Sequence, residues 1–115
     1  MNVSIYHNPR CSKSRTTLQL LKDNGVEPTV IEYLKTPPTA EQLDDILKKC
    51  AMEPRQLMRK QEAEYKEAGL DDASLSRAEL IRGMVENPKV IERPIVVTED
   101  KAAIGRPPEN VLKIL

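Results

Sequence analysis

Polar and apolar positions alternate at the start of the chain through Val3-Ser4-Ile5-Tyr6-His7, and strand-forming residue types dominate there. Asn8-Pro9 breaks the strand. From Ser14 to Asn24 good helix formers follow, with Leu18 and Leu21 one turn apart, so Cys11 falls in the loop between a strand and a helix. Asn24-Gly25 stops that helix, and Pro28 to Leu34 reads as a second strand, parallel to the first across the helical crossover.

The middle of the chain changes period. Thr39 and Gln42 form a capping-box pattern after Pro37-Pro38, and Leu43, Ile46, Leu47 and Cys50 follow at the i, i+3, i+4, i+7 spacing of one buried helix stripe. A second capping box, Ser76 with Glu79, opens a helix with Leu80, Ile81, Met84 and Val85 facing inward, and Asn87-Pro88 ends it. The polar stretch from Met52 to Leu70 suits short helices. Pro94 to Thr98 is a third strand, Glu99-Asp100-Lys101 a charged turn, Ala102 to Ile104 a fourth strand, and a terminal helix is expected around Glu109 to Leu115 after Gly105. The expected fold class is α/β on a central mixed sheet: βαβ, a helical insertion at about 39–88, then ββα, all in one domain over 1–115. With a cysteine in the first β-to-α loop and a proline opening the third strand, this order resembles the thioredoxin-like arrangement.

Composition narrows the function classes. A chain of 115 residues can bury a core without disulfides or a structural metal. Its 18 basic and 18 acidic residues cancel, leaving no long-range field to gather nucleic acid or an anionic membrane. No apolar run approaches the roughly 20 residues that span a bilayer, and no charged-then-apolar leader precedes the first strand, so a soluble, cytoplasmic protein is expected. Cys11 and Cys50 lie far apart and match neither a zinc framework nor a secreted disulfide scaffold; with a single histidine, metal binding is not expected.

Cys11 carries the candidate chemistry. At a helix start a thiol meets unpaired backbone N–H groups and the positive end of the helix dipole, which favour the reactive thiolate. Arg10 and Arg15 flank it, Ser14 offers a hydroxyl, and the polar run from Pro9 to Arg15 leaves little to pack an inert thiol against. The same geometry binds tetrahedral oxyanions. His7, at the end of the first strand, is a candidate to support the thiolate or pass a proton, with a satisfied core histidine as the alternative. Where two-cysteine oxidoreductases carry their second cysteine, this chain has Ser14, so redox turnover calls for an external thiol such as glutathione or glutaredoxin. Cys50, on an apolar stripe, is expected to pack in the core.

The stretch from His7 to Arg15, followed by Thr17-Leu18, resembles the cysteine loop of glutaredoxin-coupled arsenate reductases. Three further segments resemble that family in the same order: Leu57-Met58-Arg59 with Tyr65-Lys66 and Gly69-Leu70, then Glu92-Arg93-Pro94-Ile95-Val96-Val97, then Gly105-Arg106-Pro107. The residues after the cysteine, commonly glycine and threonine in the family, are Ser12 and Lys13 here. The resemblance implies a Cys11 nucleophile that attacks arsenate and an oxyanion held by Arg59, Arg93 and Arg106; Arg15, His7 and Ser14 are candidates from their own positions around the cysteine, Arg15 for the oxyanion and the other two to assist Cys11. The resemblance also implies a cis bond before Pro94, glutathione as co-substrate, glutaredoxin as partner and no tightly bound cofactor. Two alternatives share these residues: another glutathione-linked thiol activity, and a Spx-like RNA-polymerase-binding regulator. Ser14 removes the two-cysteine switch that many such regulators carry.

Overall fold

A computed structural model describes residues 2–115. Its backbone contacts divide into two compact units, one formed by 2–36 with 93–115 and the other by 37–92.

The first unit is built on a four-stranded sheet of β1 (Ser4–His7), β2 (Thr29–Glu32), β3 (Ile95–Val97) and β4 (Ala102–Ile104) in the order β2-β1-β3-β4. β1 runs parallel to β2 and antiparallel to β3, and β3 and β4 form an antiparallel hairpin, giving the expected mixed sheet. β1 is an inner strand, and Ile5, Tyr6 and His7 are all buried, whereas edge strand β2 is mostly exposed and shorter than its sequence pattern suggests. Helix α1 (Ser12–Asp23) joins β1 to β2. It ends where Gly25 takes φ 77°, a left-handed conformation that costs glycine little, and the N–H of Val26 closes back on the Leu21 carbonyl. Leu21 lies fully buried with Val3, Ile5, Val96 and Val111, a core in which each large-to-small change costs about 2–5 kcal/mol. The terminal segment Pro108–Ile114 is helical as expected but of the tighter 3-10 type.

The second unit holds α2 (Ala40–Cys50), α3 (Ala63–Glu67) and α4 (Arg77–Glu86), with 3-10 turns at Pro54–Leu57 and Pro88–Val90. Both expected capping boxes form, Thr39 with Gln42 and Ser76 with Glu79, each tying up two helix-end donors. The stripes they launch bury Leu43, Ile46 and Leu47 from α2 and Leu80, Ile81 and Met84 from α4. Cys50, the last residue of α2, is a half-buried free thiol. Among the described residues no helix is long and apolar enough to cross a membrane.

Candidate active site

Register decides which loops meet at the end of β1. Tyr6 pairs with Ile95, and Ile95 pairs with Ile104, so the C-terminal end of β1 lies beside the start of β3 and the end of β4. His7 and the Cys11 loop leave from the first point, Arg93-Pro94 enters at the second, and Gly105-Arg106 leaves at the third. The Gly105 N–H donates to the Pro94 carbonyl at 3.0 Å. A Cβ at Gly105 would lie 2.5 Å from Thr17 Oγ1 and 2.8 Å from Pro94 Cγ, so only glycine lets α1 and the two loops approach this closely. The Arg93-Pro94 bond is cis, as the resemblance implied, and so is Arg106-Pro107.

Cys11 is the N-cap of α1, with extended backbone angles, and α1 begins at Ser12, two residues before the helix-forming pattern becomes clear. The N–H of Cys11 closes the preceding turn on the Asn8 carbonyl at 3.0 Å, and Arg15 Nη1 braces the same turn at the Pro9 carbonyl, 2.9 Å away. Arg15 is thus engaged with the loop backbone. Arg106 places Nη2 3.5 Å from Cys11 Sγ while its Nε donates to the Arg93 carbonyl at 2.8 Å. Asn110 Nδ2 donates to the Arg106 carbonyl at 3.1 Å and fixes that loop from below.

Partial burial by itself would raise the Cys11 thiol. The N–H of Ser14, the Arg93 guanidinium, the N–H of Lys13 and the Arg106 guanidinium outweigh it and hold Cys11 below its ordinary value. The first helical turn and two cations together therefore favour a thiolate.

The Ser14 hydroxyl is not directed as the sequence suggested. Its oxygen lies 2.6 Å from His7 Nδ1 and accepts from the Asn8 N–H at 3.0 Å, so it ties strand, loop and helix together instead of donating to the sulfur. Ser14 reaches Cys11 through its backbone N–H. Burial pushes the His7 imidazole below its ordinary value, with Glu32 opposing and Arg15 and Lys22 adding to the shift. A neutral ring hydrogen-bonded to Ser14 follows, not an imidazolium facing the thiolate.

Arg59 belongs to the second unit. There its guanidinium pairs with the Glu62 carboxylate at 2.6 Å and donates to the Lys89 carbonyl at 3.4 Å, while the N–H groups of Arg59 and Glu92 bond to the carbonyls of Val90 and Leu57, each at 2.7 Å. Burial raises the Cys50 thiol, the opposite direction to Cys11. Sequence reasoning did not single out Asn8, Asn110 or the backbone of Lys13, whose roles depend on contacts that no local residue pattern announces.

The ArsC family profile matches residues 6–114. The chain belongs to the ArsC family. It is 49% identical to an arsenate reductase of Haemophilus influenzae over the full length of both chains. It is 61% identical to the uncharacterized protein YfgD of Escherichia coli, over 98% of this chain and 96% of that one. The solved structure of an arsenate reductase from Vibrio cholerae superposes with a TM-score of 0.96 at 52% identity, covering 100% of this chain and 98% of the other. These family neighbours make the fold thioredoxin-like, as the element order suggested.

Proposed function

We propose that this protein reduces arsenate to arsenite, with Cys11 as nucleophile and glutathione and glutaredoxin as external thiols. The observation that carries the reading is the Cys11 sulfur at the start of α1, 3.5 Å from an arginine that is itself braced on the Arg93 loop. In this scheme the thiolate displaces one arsenate oxygen, which leaves as water, and a sulfur–arsenic bond forms with arsenic still at the +5 state. Glutathione displaces a second oxygen in the same way. A glutaredoxin thiolate then attacks the glutathione sulfur; a disulfide forms as that sulfur leaves arsenic, and the bonding electron pair stays on arsenic as As(III). Water finally displaces Cys11, so one arsenate and two thiols give one arsenite, one disulfide and one water.

Arg93 and Arg106 remain cationic throughout, and their planar forks suit an oxyanion whose charge shifts as ligands exchange. Arg59 is assigned to the same oxyanion on the resemblance of its segment alone. His7 and Ser14 act as positioning residues that hold the Cys11 loop against β1, and Arg15 braces the loop at Pro9. Arsenate-dependent NADPH oxidation coupled through glutathione reductase, glutathione and glutaredoxin tests the reading with the parent, Cys11→Ser and Cys50→Ser proteins. Turnover is expected from the parent and from Cys50→Ser and not from Cys11→Ser. A folded parent with an ionised Cys11 that fails to turn over arsenate would refute it.

A further inference from the structure

Arg106 lies on a short loop between β4 and the terminal 3-10 segment, so the guanidinium beside Cys11 is only as well placed as that loop. On the sheet side, the Gly105 N–H donates to the Pro94 carbonyl at 3.0 Å and Arg106 Nε to the Arg93 carbonyl at 2.8 Å. On the other side the tie comes from half-buried Asn110, whose Nδ2 donates to the Arg106 carbonyl at 3.1 Å. The sequence explains why a side chain serves there. Pro107 and Pro108 have no N–H, and the 3-10 winding commits the Asn110 N–H to the Pro107 carbonyl at 3.0 Å. Val111, next in sequence, is fully buried in one cluster with Leu21 of α1, and Leu18 and Ile114 pack around it. Because Cys11 is the N-cap of α1, thiol and arginine are carried by two elements that share one core, and Asn110 is the link on the arginine's side.

The geometry points to Asn110 as a positioning residue for the nucleophile: by holding the Arg106 carbonyl it keeps the guanidinium at Cys11 Sγ, and so sets how much of Cys11 is thiolate at neutral pH. The Asn110 amide bears no charge, so its effect on Cys11 runs through Arg106. The pull of a cation on a thiolate falls with separation, and falls faster once water enters between them. An arginine side chain has many rotamers, and few of them span Sγ and the Arg93 carbonyl together, at 3.5 Å from Nη2 and 2.8 Å from Nε. Each anchor on the Arg106 backbone therefore removes states in which the cation has left the sulfur. Arg93 supports the thiolate from a separate loop, so loss of the Asn110 amide weakens the bias without abolishing it. The role concerns the thiolate before any substrate is bound, and it reaches beyond the arsenate chemistry to every electrophile that Cys11 meets.

The test follows the ultraviolet absorbance of the thiolate against pH in the intact protein, with Cys50→Ser as background so that one thiol is read. Asn110→Ala removes the amide, and Asn110→Leu removes the donor while filling its space, which keeps the test decisive if the smaller side chain destabilises the segment. Each should raise the pH of half-ionisation by about half a unit, short of the effect of losing the Arg106 charge itself. A double-mutant cycle separates positioning from general loosening. In an Arg106→Gln background the same two substitutions should move the titration no further, because the cation they release is already gone. Urea unfolding establishes that every variant is folded where it is titrated. Folded Asn110 variants that titrate like the parent, or a shift that persists in full without Arg106, would overturn the assignment. The readout needs no arsenate, so failure of the arsenate reading leaves it untouched.

Discussion

Replacing Arg106 with glutamine removes a full charge from beside Cys11 while keeping a polar side chain of similar reach. At the 3.5 Å separation of Nη2 and Sγ, a charge pair is worth about 1 kcal/mol at the dielectric of water and about 5 kcal/mol at an effective dielectric of ~20. The sulfur is only partly buried, so solvent screening holds the effect toward the lower figure, about 1–2 kcal/mol. At ~1.4 kcal/mol per pH unit, Arg106→Gln should raise the pH at which Cys11 ionises by about one unit. The thiolate absorbance in the ultraviolet, followed against pH in a Cys50→Ser background, reads this directly, and the pH dependence of the alkylation rate gives a second reading. Arg106→Lys keeps the charge but gives up the fork that spans Sγ and the Arg93 carbonyl, so its rise should be smaller. Stability should follow with a definite sign. The folded thiol ionises below its ordinary, unfolded value, so the native state binds fewer protons between the two values and is stabilised as pH rises through that window. That contribution is complete above the unfolded value, is lost as pH falls through the folded one, and should shrink in Arg106→Gln. An Arg106→Gln protein with native circular dichroism and an unshifted thiol titration would refute the electrostatic account.

Three other outcomes are expected. His7 is held neutral by burial, so below about pH 6.5 the unfolded chain takes up a proton that the native ring resists; urea midpoints should fall less steeply with acidification in His7→Gln than in the parent. Ser14→Ala strips the shared partner from His7 Nδ1 and the Asn8 N–H and should cost about 1–3 kcal/mol, seen as a lower urea midpoint at unchanged m-value. Gly105→Ala forces its new methyl into Thr17 and Pro94, and should cost about 1–3 kcal/mol in urea unfolding while raising the Cys11 titration by displacing Arg106.

The parts of this fold governed by local rules were legible in the sequence. Thr39 with Gln42 and Ser76 with Glu79 are capping boxes because the participating groups lie three residues apart, so pattern and contact coincide. The same holds for Cys11, whose place before a helix needs only the neighbouring strand and helix patterns. The start of α1 at Ser12 was less clear, since Ser12 and Lys13 resemble loop residues and declare themselves helical only once the turn has formed. A further capping box, Glu53 with Gln56, went unmarked because the 3-10 turn it opens is too short to show an apolar stripe. At the site, the approach of Arg106 to Cys11 spans nearly the whole chain and comes from the β1–β3–β4 register, which local composition does not encode. The Ser14 hydroxyl illustrates the same limit: its nearest reactive neighbour in sequence is Cys11, yet strand geometry delivers His7 and the Asn8 amide to it first.

The opposite settings of the two thiols give the molecule a chemical address. Cys11 is drawn toward the anion by amides and guanidiniums, while Cys50 at the end of α2 is kept protonated by burial. An electrophile added near neutral pH therefore finds one sulfur first without any residue being removed. The same bias directs peroxide to Cys11, where Ser14 offers no thiol to trap a sulfenic acid as a disulfide. Small thiols in solution then decide whether oxidation stops at a recoverable mixed disulfide or proceeds to a dead sulfinate.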